Sequence, residues 1–235
     1  MDKHIFKFKQ FEIDQTGCAM KVNTDGVLLA ALAEAQSPQN ILDVGTGTGV
    51  IALMLAQRFE QAKIHAVEID VEASLTAKRN FENSIFNGRL SISNVAVEQF
   101  HDERQYDLII SNPPFFVNDL KNAEVKKGVA RHTDEFFFDE LIGKVASLLS
   151  NRGRFWFILP VKQAELLVAK GKLVDLHVLR QISLHSDAQK PAFRTIVCLT
   201  KGPAKSVLTT FYIYEAEKVY TQAYKTLLKD FFLGY

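Results

Sequence analysis

The segment Asn40-Ile41-Leu42-Asp43-Val44 runs directly into Gly45-Thr46-Gly47-Thr48-Gly49, and a helix-like stretch, Val50–Phe59, follows at once. A short apolar run, a glycine-rich turn and then a helix make the opening of a βαβ unit. The pattern continues along the chain. Lys63–Ile69, Arg89–Val97, Tyr106–Ser111 and Gly153–Leu159 read as strands, while Asp25–Ala35, Val71–Phe86, Glu135–Leu149 and Val161–Gly171 read as helices before and between them. Short apolar strands alternating with helices predict a parallel sheet with right-handed crossovers and helices on both faces.

The end of the alternation differs. Leu176–Leu184 and Arg194–Thr200 are strand-like, and the polar turn between them, Ser186–Pro191, has no room for a crossover helix. Two such strands must pair antiparallel. The expected fold is therefore α/β: a doubly wound, mostly parallel seven-stranded sheet ending in an antiparallel hairpin. Beyond it, Val207–Tyr214 can add a strand and Thr221–Phe232 a final helix.

No repeat or Pro/Gly/Ser-rich linker divides the 235 residues, so one domain is expected over 1–235, with an entry segment (1–36) and a C-terminal extension (201–235). A composition of 47% hydrophobic and 23% charged residues excludes disordered and fibrous classes. Cys18 and Cys198 stand far apart and give neither a disulfide framework nor metal-ligand spacing. No apolar stretch approaches the roughly 20 residues that cross a bilayer, and Met1–Glu12 alternates Lys with Phe instead of carrying a signal core. The expectation is a cytoplasmic monomer without metal. Charge is split along the chain: residues 1–120 hold 10 Lys+Arg against 16 Asp+Glu, and residues 121–235 hold 18 against 11. The basic second part suits a polyanionic partner, although solvated surfaces drift to such asymmetry as well.

In a doubly wound sheet the loop after the first strand lies at the carboxyl edge, where ligands bind. Glycines there let a cofactor approach the backbone, and Glu68, ending the next strand, can accept hydrogen bonds from ribose hydroxyls. A dinucleotide fingerprint would need glycine where Val50 stands, and the Gly-Lys-Ser/Thr of a phosphate-binding loop is absent. What stands here is D-x-G-x-G-x-G from Asp43 to Gly49. It resembles the first motif of class I S-adenosylmethionine (SAM)-dependent methyltransferases, Rossmann-like proteins whose sheet also ends in an antiparallel hairpin. The resemblance implies SAM as cofactor, with Asp43, Gly45, Thr46, Gly47 and Gly49 around its amino-acid portion and Glu68 on its ribose. Ile69, Ala96, Val97, Asn112 and the entry residues Lys21 and Thr24 complete the implied cofactor site. Many members carry Asp at the end of the third strand; here Asn94-Val95-Ala96-Val97 stands there, so no side-chain bond to adenine is expected.

Tyr106–Ser111 delivers Asn112-Pro113-Pro114-Phe115 to the same edge. A Pro-Pro turn with aromatic packing would explain these residues elsewhere. Beside the cofactor loop they resemble the signature of methyltransferases acting on planar amino groups. Such a nitrogen is a poor nucleophile, because its lone pair is delocalised. Acceptors at Asn112 Oδ1 and the Pro113 carbonyl favour the pyramidal form, the prolines stiffen the carbonyl direction, and Phe115 can stack on the ring. The catalytic candidates are Asn112, Pro113, Pro114 and Phe115. His4, His65, His101, His177 and His185 are scattered and read as structural or solvated.

The motif leaves adenine N6, guanine N2, cytosine N4 and glutamine amide open as acceptors. Further features resemble bacterial tRNA1(Val) (adenine(37)-N6)-methyltransferases: Lys21 ahead of Thr24-Asp25-Gly26 and Leu28-Leu29, Ala130–Thr133 in the loop after the motif, Lys190-Pro191, and an aromatic C-terminus. The resemblance implies transfer of methyl to adenine 37 of a tRNA anticodon loop, an unpaired position easier to extrude than a paired base. Lys126, Lys127, Arg131, His132, Lys190 and Arg194 are then the candidate RNA contacts. The alternative keeps the fold and methylates ribosomal RNA guanine N2 or a protein glutamine N5.

Overall fold

The computed structural model describes residues 4–114 and 126–234, with the backbone alone for 126–135. In chain order the elements are β1 (Ile5–Lys7), β2 (Glu12–Asp14), α1 (Thr24–Leu32), β3 (Asn40–Val44), α2 (Val50–Arg58), β4 (Lys63–Glu68), α3 (Val71–Glu82), β5 (Leu90–Asn94) and β6 (Tyr106–Ser111). Then follow α4 (Lys126–Leu148), β7 (Leu149–Leu159), α5 (Val161–Leu173), β8 (Leu176–His185), β9 (Ala192–Lys201), β10 (Val207–Tyr212), β11 (Tyr214–Ala216), β12 (Val219–Tyr220) and α6 (Gln222–Leu228).

The central sheet has the order β10-β8-β9-β7-β6-β3-β4-β5. The strands from β5 to β7 run parallel, β9 is antiparallel to both β7 and β8, and β10 lies parallel to β8. The expected hairpin is present, but the sheet has eight strands and the hairpin is not its edge. The cause is the direction of β9: it ends where β8 begins, so the short connection through Gly202 brings Val207 alongside Arg180 without a helix.

Alternate residues of the parallel strands feed two cores. Ile41, Ile64, Leu108, Ile110, Trp156 and Ile158 pack with α1, α2 and α6 residues on one face. Leu42, Val44, Ile109, Phe155, Phe157 and Leu159 pack with α4 and α5 residues on the other. This is the period of two along each strand, with helices covering both faces. Full burial of each Leu, Ile or Phe is worth about 1.5–3 kcal/mol before entropy is counted.

Some boundaries move. Helix α4 starts at Lys126 instead of Glu135, so Lys126, Lys127, Arg131 and His132 lie on helical backbone and not in a loop. Strand β7 starts at Leu149 instead of Gly153, and α3 stops at Glu82 before a 3₁₀ turn at Asn87–Arg89. The entry segment carries a hairpin, β1–β2. Its Phe8 stacks on Phe11 with centroids 4.5 Å apart and lies 5.6 Å from Phe232, and the Lys9 amide donates to the Phe231 carbonyl. The two ends of the described chain thus pack together. Among the described residues, no helix is long and apolar enough to cross a membrane, and no His/Cys/Asp/Glu cluster could hold a metal.

Candidate active site

Register sets the site. Val44 pairs with both Val67 and Ser111, and Glu68 with Asn94, so the next residues, Gly45, Ile69, Val95 and Asn112, all leave the sheet at one carboxyl edge. Gly45 and Thr46 donate their amides to the Val67 carbonyl, at 2.9 and 3.3 Å, folding the loop back over β4. Gly45, Gly47 and Gly49 have φ of 72°, 56° and 84°, a left-handed conformation that only glycine adopts at low cost. A Cβ on Gly45 or Gly47 would meet nothing within 4 Å, whereas one on Gly49 would lie 2.5 Å from Phe81 Cε1. The first two glycines therefore line open space, and the third permits close packing of the loop on α3.

The two acids behave differently. Glu68 Oε2 accepts from the Gly47 amide and Oε1 from the Asp70 amide, both at 2.9 Å. A carboxylate offers about four lone pairs, so this one is oriented and still able to accept from ribose hydroxyls. Asp43 is fully buried. Its Oδ2 accepts from the Thr46 hydroxyl at 2.6 Å, while Oδ1 makes no hydrogen bond. Burial raises its pKa to about 7, against the lowering by the Thr46 hydroxyl and the Ala52 amide. An orphaned carboxylate oxygen beneath a glycine loop fits a cationic ammonium donor, as the amino-acid portion of SAM has.

Asparagines hold the loops. Asn94 donates to the Glu68 and Ile69 carbonyls, at 2.8 and 3.1 Å. Buried Asn80 donates to the carbonyls of Thr48 and Asp14 and accepts from the Asp14 amide, tying the glycine loop to β2. Asn94 stands where many members carry the third-strand Asp, while Asn80 belongs to no sequence motif and only its polarity within α3 could have drawn notice. Ile69 is exposed beside Glu68, and Ala96 and Val97 are buried.

Asn112 opens into a cleft of about 480 Å³ shared with Met20, Asn23, Thr24, Asp25, Phe193, Arg194 and Tyr214. Ser111 ahead of it is locked by its hydroxyl on the Val44 carbonyl. Pro113 is buried and Pro114 exposed, while Phe115 lies outside the described residues, as do the side chains of Lys126, Lys127, Arg131 and His132. Asn23 caps α1 by accepting from the Gly26 amide, which sets Thr24 at the cleft; Lys21 is exposed nearby. Arg194 Nε pairs with Asp25 Oδ2 at 2.7 Å with both side chains mostly buried, joining β9 to α1. Lys190 is exposed at the hairpin tip, 3.1 Å from Asp187. His65 sits between Ser91 and Ser93 hydroxyls, and burial lowers its pKa, in keeping with a structural role.

The chain matches the methyltransferase small domain family over residues 18–170. It resembles solved structures at the level of fold: a predicted O-methyltransferase from Agrobacterium tumefaciens (TM-score 0.70, 19% identity, 88% of this chain and 96% of that one) and a methyltransferase from Pyrococcus furiosus (0.57, 22%, 80% and 91%). Fold and glycine loop together define a class I methyltransferase whose cofactor is SAM. Among curated relatives, the tRNA1(Val) (adenine(37)-N6)-methyltransferase of Pedobacter heparinus is 57% identical over 99% of this chain and 100% of its own, and that of Trichodesmium erythraeum 41% identical over 98% of each. The chain belongs to the tRNA1(Val) (adenine(37)-N6)-methyltransferase family.

Proposed function

We propose that this protein transfers the methyl group of SAM to N6 of adenine 37 in the anticodon loop of tRNA1(Val). The observation that carries the reading is the 57% identity to a relative of that name over essentially both full lengths. The cleft at Asn112 adds chemical support, since it joins an amide acceptor to the edge where the glycine loop lies.

When bound, SAM supplies a methyl already activated by its sulfonium. Gly45 and Gly47 would give it backbone to lie against, Glu68 would accept from its ribose, and Asp43 would take its ammonium. Thr24 and Lys21 would help hold its amino-acid end, and Ile69, Ala96 and Val97 would hold its adenine. Asn112 Oδ1 and the Pro113 carbonyl accept the two N–H bonds of the target amine. This draws the nitrogen lone pair out of conjugation and aims it at the methyl, a contribution of position and preorganised dipoles. Pro114 keeps the turn stiff and Phe115 stacks on the base. After transfer the amine is acidic enough to give its proton to water, so a strong base is unnecessary. Lys126, Lys127, Arg131, His132 and Lys190 are the candidate RNA contacts. Arg194, held by Asp25, shapes the cleft more than it reaches for phosphate. We further propose that the chain acts as one domain, as a cytoplasmic monomer.

The test is transfer from methyl-labelled SAM to unmodified total tRNA, digested to nucleosides for mass spectrometry. N6-methyladenosine in the tRNA1(Val) anticodon loop is the expected product. Label in N2-methylguanosine, or transfer to protein alone, would overturn the choice of acceptor.

A further inference from the structure

We propose that Phe193 is a substrate-contacting residue, the aromatic wall on which the extruded base stacks across from Asn112. The inference rests on the methyl-acceptor reading above and adds a residue that no motif marks.

Three observations converge on it. The β8–β9 register pairs Leu184 with Arg194 and His185 with Ala192, so Phe193 is the extra residue of a β-bulge. Bulges re-aim side chains, and they concentrate beside active sites. Second, the bulge puts a large apolar side chain, 37% exposed, on the lining of the cleft that also holds Asn112.

Third, its neighbour is arranged to hold it. The Arg194 guanidinium carbon lies 5.6 Å from the Phe193 ring centroid, and Arg194 Nη1 donates to the Phe193 carbonyl at 3.0 Å. Nε of the same guanidinium pairs with Asp25 on α1. One cation therefore fixes backbone and ring to a rigid helix, as a stacking platform requires. The other cleft aromatic, Tyr214, already stacks on Tyr220 with centroids 4.9 Å apart, and Tyr220 on Tyr224 at 4.5 Å. Among the described residues no ring stacks on Phe193. A planar base is the ligand chemistry that such a face, beside two amine-directed acceptors, would take.

The experiment uses the full chain with Phe193→Leu and Phe193→Trp, on tRNA1(Val) transcript and on an anticodon stem-loop carrying 2-aminopurine at position 37. Aromatic stacking on a base is worth enough that its loss lowers kcat/KM about 10- to 100-fold. Phe193→Leu should show that loss with SAM affinity and melting temperature unchanged, and bound 2-aminopurine should be brighter than in wild type because a quenching ring is gone. Phe193→Trp should restore both readouts. An active wild type beside an equally active Phe193→Leu with equal fluorescence overturns this inference alone. A wild type inert on this tRNA overturns the acceptor reading, and this proposal with it.

Discussion

Between Asp43 and Asp70 the chain builds the loop wall of the site, at the same carboxyl edge as Asn112, from a single βαβ stretch, and most contacts there are made by main-chain amides. The facing wall gathers Asp25, Asn112, Phe193, Arg194 and Tyr214, and its central ion pair joins residues 169 positions apart. The first wall is fixed by backbone conformation, with positive φ at Gly45, Gly47 and Gly49 and no room for a Cβ at Gly49 against Phe81. The second is fixed by side chains on separate elements, so it can be recut without disturbing the sheet. A methyl donor common to many enzymes suits the first construction, and an acceptor peculiar to one family suits the second.

The sharpest way to break this division is Asn112→Ala. If the facing wall does chemistry while the loop wall binds cofactor, kcat should fall on the order of 10²- to 10³-fold, the scale of losing one preorganised polar partner of a reacting group. SAM affinity by calorimetry should hold. A parallel loss of SAM binding would mean the walls are not separable.

Two glycines test the loop wall from within. Gly49→Ala combines positive φ with a Cβ 2.5 Å from Phe81, and should destabilise the fold by about 1–3 kcal/mol while abolishing SAM binding. Gly47→Ala meets open space, so its melting temperature should fall by less while SAM affinity drops. Equal stability losses in thermal unfolding, with SAM affinity kept in Gly47→Ala, would show that Gly47 serves only the turn.

The contrast also explains what could be read from the sequence. Asp43–Gly49 and Glu68 were legible because backbone-made sites need glycine and acid at fixed spacing in one unit. Asn112 was legible because prolines follow it on a strand end. Phe193 and Asp25 were not, since a bulge depends on the partner strand and an ion pair on tertiary approach. The eighth strand was visible as an apolar run at Val207, but its pairing depends on which edge the turn at Gly202 leaves open. The alternation of Lys7 and Lys9 with Phe6 and Phe8 argued only against a signal core; the β1–β2 hairpin was not expected, because its apolar support, Phe231 and Phe232, comes from the far end of the sequence.

Asp43 offers a quieter test. Its folded pKa, about 7, lies above its ordinary value of 3.8, so the folded state holds the proton more tightly than the unfolded chain. Below pH 4 both states are protonated and the residue imposes no penalty. As pH rises from 4 toward 7 the unfolded state ionises first, stability falls, and the loss levels off above 7. Asp43→Asn removes this dependence. The melting temperature of the variant relative to wild type should therefore climb between pH 4 and 7 in the absence of SAM. A flat difference would mean Asp43 is ionised throughout and held by partners other than Thr46 and Ala52.

The smallest effect belongs to the hairpin tip, where the tunable wall meets solvent. Lys190 is exposed and paired with Asp187, and such solvated pairs add little to folding, so Lys190→Ala should melt with the wild type. If its ammonium leaves Asp187 for an RNA phosphate, the variant should bind tRNA a few-fold more weakly. The slope of log affinity against log salt should then become shallower by about 0.7, the share of one phosphate on single-stranded RNA. An unchanged slope with unchanged affinity would end the facing wall at Phe193, and leave RNA backbone contact to the chain around Lys126.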